Sequence, residues 1–118
     1  MLTINDSQAM AAQLEAWPDL ETLDFVKILG GAPRHAGLHL MGNANSATQA
    51  GVWECTPGRF DYTFPDNELC KIVAGEVLLT DAQDQRRRLG PGDMLITHRG
   101  DIVNWDVRQT VRKVFLTW

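Results

Sequence analysis

Histidine and cysteine are scarce in this chain, at three and two among 118 residues, and neither type clusters. Cys55 and Cys70 form no Cys-x-x-Cys or Cys/His group, so neither a zinc site nor a disulfide framework is indicated, and buried free thiols are the reading. Basic charge is short as well. Eleven Lys and Arg stand against 15 Asp and Glu, a formal net charge of -4, which argues against a general nucleic-acid binder because such proteins need a basic surface to release counterions. The one dense basic run, Arg86-Arg87-Arg88, comes after Asp81-Ala-Gln-Asp84 and reads as a solvated hairpin turn. No apolar run approaches the roughly 18 residues that a membrane-spanning helix needs. No basic stretch leading into an apolar one opens the chain, so a soluble cytoplasmic protein with no membrane partner is expected.

Helical periodicity is missing beyond the first residues. Asp6 or Ser7 is an N-cap candidate, Met10, Leu14 and Trp17 recur at helical spacing, and Pro18 ends the pattern, which predicts one helix over residues 6 to 17. Beyond Pro18 the chain alternates strands and turns. Strands are expected at Phe25 to Leu29, Leu38 to Met41, Val52 to Cys55, Arg59 to Phe64, Leu69 to Thr80, Met94 to Thr97, Ile102 to Val107 and Thr110 to Trp118. Thr56-Pro-Gly58 suggests a type II turn with Gly58 at positive φ. In Arg59 to Phe64 the aromatics fall on even positions, giving one apolar face and one carrying Arg59, Asp61 and Thr63. Gly75 interrupts a long strand and marks a bend or bulge. With 44% hydrophobic residues, the chain can build a core of its own. An all-β sandwich or barrel is the expected class, with residues 1–24 as a partly helical N-terminal segment and 25–118 as a single domain.

The order of several short stretches carries a resemblance. Gly51-Val-Trp-Glu-Cys-Thr-Pro-Gly58, Glu68-Leu-Cys70, Ile72-Val-Ala-Gly75-Glu-Val77, Leu89-Gly-Pro-Gly-Asp93, Gly100, Trp105-Asp-Val107 and Val111-Arg-Lys113 resemble the cupin superfamily, and within it the group related to (S)-ureidoglycine aminohydrolase. The resemblance implies a double-stranded antiparallel β-helix, the cupin jelly-roll barrel, preceded by a short helical or extended segment. Metal-binding cupins place His-x-His ahead of a Glu and a Gly. This chain keeps Glu68 and Gly75 at that spacing, but the imidazole positions fall on Asp61 and Thr63, or on Tyr62 and Phe64. A later imidazole position falls on Val103. The usual set of three imidazoles and a carboxylate suits borderline cations, and here one carboxylate is left. No cofactor is therefore expected. A divalent metal such as Mn, Fe, Ni or Zn remains open only through ligands outside the motifs, such as His35, His39 or Cys70.

The resemblance points Glu68 into the barrel, where an apolar setting suits a carboxylate to proton transfer or to holding a ligand amine. The competing reading is a turn hydrogen bond or a pair with Arg59. His98, at a strand end, is the second catalytic candidate. Cys70 shares the Glu68 face by strand periodicity. Trp53, Tyr62 and Trp105 complete a candidate pocket as a flat wall for a planar ligand. Trp118 at the terminus suggests a dimer contact. The residues leave three functional classes: a barrel that binds a small polar molecule without the His-rich metal site, an aminohydrolase-like enzyme acting on a small nitrogen compound such as a ureide, and a structural or regulatory homodimer.

Overall fold

Alternation of buried and exposed residues is strongest in the two longest strands, and these organise the molecule. The computed structural model describes residues 1–118. Nine strands are present: β1 (Glu15–Ala16), β2 (Val26–Gly31), β3 (His35–Met41), β4 (Gln49–Cys55), β5 (Gly58–Thr63), β6 (Glu68–Asp81), β7 (Arg86–Leu89), β8 (Met94–Thr97) and β9 (Ile102–Thr117). All pairings are antiparallel.

The long strands β6 and β9 pair with each other along most of their lengths, from Glu68 opposite Thr117 to Asp81 opposite Val103. Both belong to two layers. In one layer the first half of β9 pairs with β5, β5 pairs with β2, and the second half of β6 pairs with β7. In the other, the second half of β9 pairs with β4, which continues to β3 and β1, and the first half of β6 pairs with β8. Two strands that bend from one layer into the other make the jelly-roll barrel that the motifs imply.

The bend sits where the sequence places it. Gly75 has φ of +85°, and the β6–β9 register slips on both sides of Ala74. A Cβ on Gly75 would lie 2.0 Å from the Thr110 carbonyl oxygen, so close backbone approach and left-handed geometry both demand glycine.

Three local expectations are corrected. Arg86–Leu89 is a strand paired with Val77–Thr80, and the turn is confined to the residues before it. Pairing supplies backbone hydrogen bonds that charge patterning does not announce. Gly58 has no positive φ and opens β5. It is small because a Cβ there would meet the Pro33 ring at 2.6 Å. The helix, α1, covers only Asp6–Ala11, with Asn5 rather than Asp6 or Ser7 as the cap in a reciprocal capping box with Gln8. Leu14 and Trp17 lie beyond it. Six residues are marginal as a helix alone, and tertiary contacts pull the next segment into β1 and place the Trp17 ring over Gly37. No helix is long and apolar enough to cross a membrane.

Between the layers lies a core that includes Cys55 on β4, Phe60 on β5, Ile72 and Val77 on β6, and Val111 on β9, all fully buried. On either side of the exposed bend at 108–110, odd-numbered positions of β9 point inward: Val103, Trp105 and Val107 in one layer, Val111, Lys113 and Phe115 in the other.

Candidate functional site

The inward row of β9 contains a lysine between two apolar residues. Lys113 is 6% exposed. On the neighbouring strand β6, Glu68 heads the inward row Glu68, Cys70 and Ile72 and is itself 7% exposed. Lys113 Nζ donates to Glu68 Oε2 at 2.5 Å. The ammonium also lies over two indole faces, 4.6 Å from the Trp53 ring centre and 4.9 Å from that of Trp105, where the ring quadrupoles attract a cation. The two indoles meet edge to face at 5.8 Å, and Phe60 stacks parallel to Trp105 at 6.4 Å. Among these rings the sole hydrogen-bonding oxygen that Lys113 reaches is Glu68 Oε2.

The pair forms part of the lining of a cavity of about 570 Å³. Trp53, Tyr62 and Trp105 line it, with Phe115, and Trp17 at the N-terminal side. Tyr62 packs edge on against Phe25 and Phe64. The pocket expected from sequence is thus assembled as to Glu68, Trp53, Tyr62 and Trp105. Cys70 is buried in the core beside the pair and does not line the cavity, although it shares the Glu68 face.

His98 is placed elsewhere. It sits in a turn with its side chain 79% exposed, near Asp101, and it is not among the residues lining the cavity. Its backbone N–H donates to Asp101 Oδ2 at 2.8 Å, so Asp101 closes a turn and the imidazole is left in solvent. Glu68 likewise pairs with neither a turn nor Arg59. Its partner is a residue that sequence reasoning passed over. The signal was present in the alternation of Val111, Lys113 and Phe115, which puts position 113 on the apolar face.

Charge states are set by burial and by the pair. Burial lowers the Lys113 pKa, but the Glu68 charge, together with Cys70, the Glu68 hydrogen bond and Tyr62, makes the net shift upward. Cys70 and Tyr62 add to that shift only when ionised. They are neutral near pH 7, because burial, reinforced by Glu68, pushes the Cys70 thiol up to about 11 and the Tyr62 phenol up to about 12. Burial raises Cys55 to about 12. Neither cysteine is a thiolate nucleophile under neutral conditions, and both are free, buried thiols.

The remaining imidazoles are committed to the N-terminal strap. His35 Nε2 lies 2.6 Å from the Pro18 carbonyl, and Trp53 Nε1–H donates to His35 Nδ1 at 3.0 Å. That pairing fixes the neutral tautomer protonated on Nε2. Burial lowers the His35 pKa. His39 stacks on Trp17 at 5.0 Å and bonds Gln49 Oε1 at 2.9 Å. No group of three or more His, Cys, Asp and Glu side chains converges. The donor set therefore does not fit the metal of a His-rich cupin centre. The one carboxylate at the motif position already has a counter-charge, the Lys113 ammonium. Asp61, the other oxygen near that motif, accepts from Asn104 Nδ2 at 2.9 Å.

Comparison with known proteins agrees with the fold. The fold matches EutQ from Clostridium difficile with a TM-score of 0.63 at 16% identity, over 74% of this chain and 69% of that one. A DUF861-family protein of unknown function from Pseudomonas syringae pv. tomato gives 0.76 at 22% identity, over 91% of this chain and 45% of the other. A DUF861-family protein from Thermotoga maritima gives 0.54 at 28% identity, over 57% and 76%. No functionally curated protein matches the sequence. The family model for the EutQ-like cupin domain matches residues 42–115, the stretch that runs from the loop before β4 to Phe115 and includes both Glu68 and Lys113. The chain belongs to the EutQ-like cupin domain family, within the cupin superfamily.

Proposed function

We propose that the barrel binds a small polar molecule, held at the Lys113–Glu68 pair and flanked by Trp53, Tyr62 and Trp105, with no His-rich metal centre involved. The observation that carries this reading is the buried ion pair itself. Removing two charges from water is costly, and a well-packed apolar pair in the same place is often as stable or more so. A charged pair bordering a cavity of about 570 Å³ among aromatic rings is therefore poorly explained by stability and well explained by recognition. Because three tryptophans line the cavity, an occupant should change the intrinsic fluorescence. Screening small polar compounds by fluorescence and thermal shift is expected to yield binders whose signal is lost in Trp53→Ala. A screen in which every binder is unaffected by Trp53→Ala and by Tyr62→Phe would move the site elsewhere.

A second reading is favoured by a different feature. The motifs resemble the ureidoglycine aminohydrolase group, and a carboxylate next to an ammonium offers a base and an acid in one cavity. Ammonia release from small ureides, abolished in Glu68→Gln, is the outcome that reading expects. The binding reading expects no release. Half-exposed Trp118, together with exposed Met94 and Ile96, supports a homodimer, which light scattering would test.

A further inference from the structure

We infer that the cavity recognises a neutral amide-type group, whose carbonyl oxygen accepts from the Lys113 ammonium while the neighbouring N–H donates to Glu68 Oε1. This rests on the binding reading above and names the ligand class for the same site. Both halves of the pair have capacity left over. A lysine ammonium carries three donors, and Lys113 has a single oxygen acceptor, with the indole faces of Trp53 and Trp105 as its other neighbours. Glu68 accepts from Lys113 at Oε2 and from no protein donor at Oε1. Oε1 is not one of the sealed, unpartnered polar atoms, which are Thr97 Oγ1 and Trp105 Nε1. It is therefore open to the cavity that Glu68 lines.

Charge selects among ligands that could use this capacity. The pair is neutral as a unit. A carboxylate would bind Lys113 but would face the Glu68 charge, and an amine would bind Glu68 but face Lys113. Either one gains by splitting the pair, which strands a buried charge. An amide presents acceptor and donor side by side with no net charge, so it adds to the pair without splitting it. The surrounding rings suit a planar or apolar body attached to that group.

Four probes with one ring separate the possibilities: benzamide, benzoate, benzylamine and toluene, titrated at pH 7 into the wild-type chain with tryptophan fluorescence and calorimetry. The expected result is that benzamide binds at least about 10-fold tighter than benzoate or benzylamine. In the double variant Glu68→Gln with Lys113→Met, which keeps net charge and nearly keeps volume, benzamide should bind at least about 10-fold more weakly than in the wild type while toluene binding persists. Mutual competition among the probes in the wild-type chain gives the same ranking should the double variant not fold. Benzoate or benzylamine binding as tightly as benzamide overturns the amide inference and leaves the binding reading standing. Toluene alone binding overturns both, because the binding reading is of a polar molecule held at the pair. Silence from every probe overturns both.

Discussion

Arg112 and Lys113 are adjacent on β9, and each is ion-paired with a glutamate, yet the two pairs do opposite things. Strand alternation sends Arg112 outward and Lys113 inward. On the outer side, the Arg112 guanidinium binds Glu54 Oε2 through Nε and Nη2 at 2.9 and 2.8 Å. Its Nη1 also donates to the carbonyls of Ala9, Met10 and Ala12, the free end of α1. All three guanidinium nitrogens have protein partners, and Nη1 fixes the helix to the sheet. On the inner side, Lys113 and Glu68 hold only each other and leave capacity facing a cavity. The outer pair is a fastener, and the inner one is, in our proposal, a binding element. Arginine suits the first role by its rigid fork, lysine the second by its rotatable donors.

The largest effect should come from breaking the inner pair on one side. Lys113→Met leaves Glu68 as a buried, unpaired charge and is expected to cost about 3–5 kcal/mol in urea unfolding. Adding Glu68→Gln should restore most of that loss. A double variant no more stable than Lys113→Met would show that something other than charge pairing sets the cost. Arg112→Ala should cost about 2 kcal/mol, since its bonds are charge-assisted and part-buried. The loss should be local, read as faster amide exchange in residues 6 to 12, with cavity binding unchanged. Weakened binding of a cavity probe in Arg112→Ala would erase the contrast between the two sides.

Alkaline pH distinguishes the pairs without mutation. The folded-state pKa of Lys113 is raised, so its contribution is fully present below the unfolded lysine value of about 10.4. It is lost as pH rises through the folded pKa. Arginine keeps its charge over the same range. The stability of the wild type should therefore fall above about pH 10.4 more steeply than that of the Glu68→Gln, Lys113→Met double variant. Parallel curves would count against the buried pair. The smallest effect is expected at His35. Its folded pKa is lowered by burial, so the unfolded chain takes up the proton first as pH drops below about 6.5. Stability should then decline with falling pH until the folded pKa is passed. Protonation at Nδ1 removes the Trp53 hydrogen bond, so a small change in tryptophan emission is expected, absent in His35→Gln.

Alternation, turn residues and Gly75 made the barrel legible, because a strand's period and a glycine's steric freedom are local properties. Met94 to Thr97 is a strand at its expected bounds, and the bulge lies at Gly75. The retained Glu68 was legible too, from its spacing to Gly75, as was the aromatic set Trp53, Tyr62 and Trp105. Local patterns missed what depends on a distant partner. Residues 12 to 17 keep helical spacing, yet the space over Gly37 and the donors of Arg112 decide that the helix ends at Ala11. His98 has the chemistry of a catalyst and the position of a solvent-exposed turn.

By itself, then, the sequence determined a curved antiparallel barrel with one carboxylate where metal-binding cupins carry one and no histidine at their imidazole positions. Only the tertiary structure decided what balances that carboxylate. Glu68 and Lys113 are separated by 45 residues, and no propensity links them. Their pairing arises because β6 and β9 run antiparallel in a register that turns both side chains into the same interior. A buried charge must find its opposite, and the fold supplies a lysine beside the carboxylate that lacks the motif's imidazoles.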